Sequence, residues 1–159
     1  YFYLDHGERR DFYGRVSGEY IFHPTNTLST VLYGMADFYE DAPYGRQLSL
    51  GGSDGFAGFP TGYYTGQARV YGSLEQRYFT SLEVATLMPV FALFGSVGET
   101  AWDLDDIRRK DLIYVLGLGI RFAQTKSISR LINKLDISFP VNGERKGDAH
   151  YSITTTLSL

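Results

Sequence analysis

The chain has no cysteine, so disulfides, thiol nucleophiles and cysteine-ligated zinc are excluded. It has no excess of positive charge: the formal net charge is -3, and no nucleic-acid partner is expected. It has no apolar run approaching the roughly 18 residues of a membrane-spanning helix. It has no internal repeat, low-complexity tract or evident linker, so residues 1–159 read as one domain, long enough to bury a core. The first residue is Tyr1 rather than Met, as in a mature protein or one part of a longer chain.

Aromatic residues are abundant. Thirteen Tyr and eleven Phe bring the aromatic content to 16%, which favours strands; Tyr also suits a membrane–water boundary. The dominant period is two, the period of a strand. Arg69, Tyr71, Ser73, Glu75 and Arg77 alternate with Val70, Gly72, Leu74, Gln76 and Tyr78. Ile113, Val115, Gly117, Gly119 and Arg121 alternate with a wholly apolar set from Leu112 to Phe122. Residues 134–139 and 151–159 alternate as cleanly. The pattern predicts about eight strands, near 10–23, 28–40, 46–51, 65–80, 84–100, 110–125, 132–140 and 149–159.

Several of these segments exceed the usual strand of about five to six residues and match the about nine to eleven of a tilted transmembrane strand. Residues 80–83 form a short connection and residues 101–110 a long, charged one. Short turns on one side and long loops on the other describe a transmembrane barrel. Alternation alone fits a soluble barrel equally well, with the apolar face turned inward. Strand length, the tyrosines and mid-strand charges (Arg15, Glu19, Glu75, Arg121 and Asp136) favour the membrane version. The expected fold is therefore all-β: an antiparallel transmembrane β-barrel.

One stretch departs from the alternation. Gly51–Gly62, GGSDGFAGFPTG, is too long and too aromatic for a plain hairpin turn, which needs about two to five residues. With its flanks it resembles the BamA/TamA-like outer-membrane assembly and two-partner-secretion barrel superfamily. Gly51, Gly52, Gly55, Phe56, Gly58 and Phe59 match that superfamily's glycine-rich loop, and Glu75-Gln76-Arg77 its Glu-x-Arg strand. Phe94 to Gly98, Gly117 to Phe122 and Leu135 to Pro140 match three later strand motifs in order. The match covers about residues 46–159. The family's last strand ends in an aromatic; here the end is Leu159, with Tyr151 eight residues earlier.

The resemblance implies a role in inserting or translocating polypeptide at a bacterial-type outer membrane. The loop 51–64 would support the lumen or seam, and Glu75, Arg77, Ser96, Arg121 and Asp136 would line the lumen. Two positions depart from the family pattern. Its loop arginine is Ala57 here and its strand aspartate is Ser96, so the salt bridge it is thought to use is missing both partners. Losing one partner of a buried pair costs about 3–5 kcal/mol, whereas losing both can be nearly neutral. Packing by Phe56, Phe59, Tyr63 and Tyr64 is the expected replacement. The family barrel has sixteen strands. About eight per chain leaves two alternatives: a small closed barrel, too narrow for the loop, or a half-barrel completed by a second copy, another chain or further sequence. The expected partners are the lipid bilayer, a second copy, and client outer-membrane or secreted polypeptides.

Catalytic readings find little support. His6, His23 and His150 sit near segment ends. His23 with Ser17 or Ser29, or His150 with Ser152 and Asp148, would suit a lipid-modifying barrel enzyme, but neither set has a local motif. Ser53 lacks the G-x-S-x-G context of a nucleophile elbow. The aspartates of AWDLDDIRRK fail the calcium-loop spacing. No catalytic residue, cofactor or metal is expected. A lipid-modifying enzyme, a passive pore or structural barrel, and a soluble ligand-binding barrel stand as the alternatives.

Overall fold

A computed structural model describes residues 12–40, 45–52, 56–57, 59–83, 87–124 and 131–157. Nine strands occur among them: β1 Phe12–Thr25, β2 Leu28–Glu40, β3 Leu48–Leu50, β4 Tyr64–Gly66, β5 Ala68–Phe79, β6 Leu87–Ala101, β7 Ile113–Gln124, β8 Leu131–Pro140 and β9 His150–Leu157. Seven form one antiparallel sheet in the order β1-β2-β5-β6-β7-β8-β9. The remaining two, β3 and β4, form a ribbon of their own. No α-helix occurs among the described residues, and none is long and apolar enough to cross a membrane.

The expected count of about eight strands in the sheet is corrected to seven. The segment 46–51 has strand-like Leu-Ser-Leu alternation, but only Leu48–Leu50 is extended, and it pairs with β4. The cause is local. Gly51 and Gly52 take φ values of 137° and 60°, which turn the chain out of the strand, and such angles favour glycine. The expected strand 65–80 is likewise divided at Gln67. The Gln67 amide donates to the Ala101 carbonyl (2.8 Å), and its own carbonyl accepts from the Tyr39 amide (2.7 Å).

The two faces of the large sheet differ sharply. One is apolar and exposed on every strand: Val16, Leu32, Leu74, Leu93, Leu116, Ile137 and Ile153 are each at least 40% exposed. The other carries Arg15, Asp37, Arg69, Glu75, Arg121 and Asp136, and the loop between β3 and β4 packs onto it. A water-soluble sheet buries its apolar face and exposes its polar one. Here the arrangement is inverted. Lys134 on β8 lines the same cavity as Arg15 and Glu19 on β1, so the polar face is the concave one.

The connections are equally polarised. Residues 26–27, 80–86 and 125–130 join strands at one end of the sheet; 41–67, 102–112 and 141–149 join them at the other. Among the described residues the sheet does not close: β1 pairs with β2, β9 pairs with β8, and the two do not pair with each other.

Gly66 tests how tightly the ribbon sits. A Cβ there would overlap the Ala101 carbonyl. Gly66→Ala is expected to lower stability by about 1–3 kcal/mol, the usual cost of overpacking. At Gly34, where a Cβ would meet nothing within 4 Å, the same change should stay within about 0.5 kcal/mol. Chemical unfolding of both variants checks this.

Candidate functional site

The site is the concave face together with the loop that rests on it. Phe56 and Phe59 are fully buried with Leu50 and Val115, and Tyr64, Tyr71 and Ile113 close the cluster. The Phe56 ring lies edge-on to Tyr64 and Tyr71, with centroids 6.1 and 5.9 Å away. Its seat is Gly98 on β6, where a Cβ would come within 3.3 Å of the ring and 3.1 Å of Leu50. Phe59 stacks on His150 at 5.1 Å and 22°. Tyr63, more exposed, packs on Phe59 and Tyr64. Burial raises the Tyr64 phenol above its ordinary pKa, and neighbouring Tyr63 adds to this.

Polar contacts fix the loop as well. The Gly52 amide donates to the Phe59 carbonyl (2.7 Å), closing the loop on itself. Ser138 on β8 donates its hydroxyl to the Ala57 carbonyl. Arg69 on β5 reaches from Asp37 on β2, its Nε donating at 2.9 Å, to the Ser49 carbonyl on β3. Arg69 therefore ties ribbon to sheet, with a fully buried carboxylate as counter-ion. Arg15 approaches the same carboxylate at 3.4 Å.

A second ion network crosses the middle of the face. Arg77 donates to Glu75 (2.6 Å), Glu75 accepts from Arg121 (3.1 Å), and Arg121 reaches Asp136. These residues lie on β5, β7 and β8, so the network passes over β6. Small residues make that possible. Cross-strand pairing runs Arg77, Ala92, Gly119, Asp136. A Cβ at Gly119 would overlap both the Arg121 guanidinium and the Asp136 carboxylate. The Arg121 guanidinium also lies 5.9 Å from the Phe94 ring centroid, and that ring covers Gly117.

Cavities lie on this face among the described residues. One of about 330 Å3 is lined by Arg15, Glu19, Arg69 and Arg77 among others. One of about 250 Å3 lies beneath the loop, lined by Gly52, Ala57, Ser96, Arg121 and Asp136. Tyr71, Ser73, Glu75 and Lys134 line both. Ala57 and Ser96, the two departures from the loop and strand motifs, thus face one space.

Of the residues singled out in the sequence, Gly51, Gly52, Phe56, Ala57 and Phe59 meet on the concave face with Glu75, Arg77, Ser96, Arg121 and Asp136. Gly55 and Gly58 lie outside the described residues, as does His6. His23 is exposed near the end of β1, and no hydrogen bond joins it to Ser17 or Ser29 among the described residues. His150 is buried against Phe59, while Asp148 pairs with Arg145 at 3.4 Å. No metal-binding group of His, Asp and Glu occurs among the described residues. The 102–112 connection forms one exposed 3-10 turn, Leu104–Asp106, capped by Asp103. Sequence reading missed Asp37 and Ser138. Both stand on the polar side of an alternating strand, but only the strand register brings them to Arg69 and to the loop.

No protein-family model matches the chain, and no curated protein matches it.

Replacing Arg69 by Met removes its hydrogen bond to the Ser49 carbonyl and leaves Asp37 buried without its main partner. The loop should loosen, and chymotrypsin should cut after Phe56 several-fold faster than in the unaltered chain; the Phe59–Pro60 bond is not a chymotrypsin site. Unchanged cleavage would show that the aromatic cluster alone holds the loop. Arg121→Met leaves the buried Asp136 without its partner, beside the half-buried Glu75, and should cost about 3–5 kcal/mol, read by chemical unfolding. Adding Glu75→Gln and Asp136→Asn should recover much of that loss.

Proposed function

We propose that this chain is an arc of an outer-membrane-type β-barrel and serves the insertion or translocation of polypeptide at a bacterial-type outer membrane. The inverted sheet carries the reading: seven strands expose an apolar face, while charge is buried on the opposite one. Lipid-facing apolar residues and a polar lumen are the arrangement of transmembrane barrels.

Three further observations support it. Aromatics flank the aliphatic band on the exposed face: Tyr20, Phe22, Tyr78 and Phe91 toward the short connections, and Tyr114, Phe139 and Tyr151 toward the long ones. Such girdles mark the two membrane interfaces. On β7 the band runs from Tyr114 to Phe122. The eight steps from Tyr114 to Phe122 span about 26 Å at about 3.3 Å each, or about 20 Å across the bilayer at a tilt near 40°, against an apolar band of about 25 Å in known barrels. The division into short and long connections fits periplasmic turns and extracellular loops. Finally, the glycine-rich motif that resembles the assembly and secretion barrels rests on the face that would be the lumen. Its Ala57 and Ser96 border the cavity beneath the loop, and Arg69 and the aromatic cluster fasten it. In a barrel, further strands would continue the sheet beyond the ends seen among the described residues, since an open sheet edge is not viable in lipid.

The membrane reading is tested at Leu118, 59% exposed at the middle of β7. Leu118→Arg should cost about 2–4 kcal/mol in a bilayer. In a water-soluble sheet the same exposed change would stay within about 0.5 kcal/mol. The role is tested by reconstitution. Liposomes holding the assembled protein should speed insertion of an unfolded barrel client, and Arg69→Met should weaken the effect. Ion conductance without any effect on the client would mark a passive pore instead.

A further inference from the structure

His150 stands at the start of β9, against the loop core rather than in either ion network. Its ring is buried and lies flat on Phe59. Its Nε2 is enclosed, with no hydrogen-bond partner among the described residues. β8 sets Ser138 opposite it in the sheet, but the Ser138 hydroxyl donates to the Ala57 carbonyl instead. Phe59 thus rests on a titratable ring whose enclosed nitrogen has nothing to bind.

Only the neutral ring suits that position. A neutral imidazole carries its proton on one nitrogen, so Nδ1 can hold it while Nε2 stays a bare acceptor. The imidazolium carries N–H on both. Its second N–H would be shut into the cluster without an acceptor, and a charge would be taken out of water. Attraction to the Phe59 face offsets part of this but supplies no acceptor. The charged groups acting on the ring among the described residues are Arg145 and Asp148, both in the 141–149 connection. They pair with each other at 3.4 Å, and the Arg145 guanidinium lies 5.7 Å from the Tyr63 ring centroid. The loop adds the phenols of Tyr63 and Tyr64 to the cluster, β8 the Ser138 hydroxyl, and β7 the apolar Ile113 and Val115. None of these groups hydrogen-bonds to the imidazole.

We propose that His150 is a pH-sensitive latch on the glycine-rich loop: neutral, it seats Phe59; protonated, it releases Phe59 and uncovers the cavity of about 250 Å3 beneath the loop. The release is local. Arg69 holds the Ser49 carbonyl by a contact that does not titrate in this range, so the ribbon β3-β4 stays tied to the sheet while the segment around Phe59 lifts. Because the seat needs the neutral ring, its contribution is complete above the free imidazole value of about 6.5 and is lost progressively as the pH falls below it. The inference rests on how the loop packs and does not require the membrane reading.

Hydrogen–deuterium exchange of the full chain between pH 8 and pH 5, corrected for the intrinsic pH dependence of amide exchange, tests this. The amides of Gly52, Phe59 and Tyr63, bonded to the Phe59, Phe56 and Pro60 carbonyls, report on the loop. Their corrected exchange should be flat above about pH 6.5 and then quicken by up to about tenfold for each further pH unit. The β7 amides, Ile113–Gln124, should stay protected throughout. His150→Phe keeps a flat ring that cannot be protonated, so the rise should vanish; His150→Gln is read instead if that variant fails to fold. The double variant His6→Gln, His23→Gln leaves His150 as the only histidine of three and should keep the whole rise. In that double variant, the His150 ring titrated by NMR should change charge over the same pH range in which the loop opens. A loop equally protected at pH 5 and pH 8 would overturn the proposal. So would a rise that survives replacement of His150, one that disappears with His6 and His23, or one whose pH range differs from that of the His150 ring. A rise shared equally by β7 would overturn it as well, since that marks general acid unfolding.

Discussion

A guanidinium held between a buried and a half-buried carboxylate, Arg121 between Asp136 and Glu75, governs how this sheet is built. Charge taken out of water is costly unless paired and hydrogen-bonded. The pairing here spans three strands, so it constrains curvature, register and residue size together. β6 must present Ala92 and β7 must present Gly119 beneath the pair. Phe94 covers the bare backbone of Gly117 and borders the guanidinium. A one-residue slip of any of these strands would turn the charges to the apolar side. The register is therefore set by the polar face as strongly as by the apolar one.

The glycine-rich segment solves a related problem. A loop laid over a charged face must bring its own apolar core, or its backbone polar groups stay buried and unpaired. Phe56 and Phe59 supply that core with Leu50 and Val115, and the seat at Gly98 lets the Phe56 ring approach the sheet. The backbone is then satisfied piecemeal: Gly52 to Phe59 within the loop, Ala57 to Ser138, Ser49 to Arg69. Arg69 joins the two systems, since one side chain holds both the ribbon and the β2 carboxylate. In the proposed barrel this makes the loop part of the lumen wall.

Much of this was legible in the sequence where a strand alternates cleanly. Arg69 to Phe79 and Leu112 to Phe122 divide into faces as their residues suggest, because side chains in a strand point alternately to either side. The segment 46–51 misled, since three alternating residues cannot reveal whether they join the sheet or a ribbon above it. The adjacent Gly51-Gly52 pair at its end was the available signal. Asp37 and Ser138 were missed for another reason. A lone acid in β2 and a serine in β8 acquire meaning only from partners that are distant in sequence.

The sequence by itself determined that the chain is all-β, where the long strands lie, and which residues share a face. Period-two alternation and the turn residues carry that information locally. Only the tertiary structure decided which face is buried, because alternation is symmetric and curvature is not. It also decided that, among the described residues, seven strands rather than eight form the sheet, with β1 and β9 at its two ends. Closure depends on strand number and direction, and those emerge only when every pairing is known.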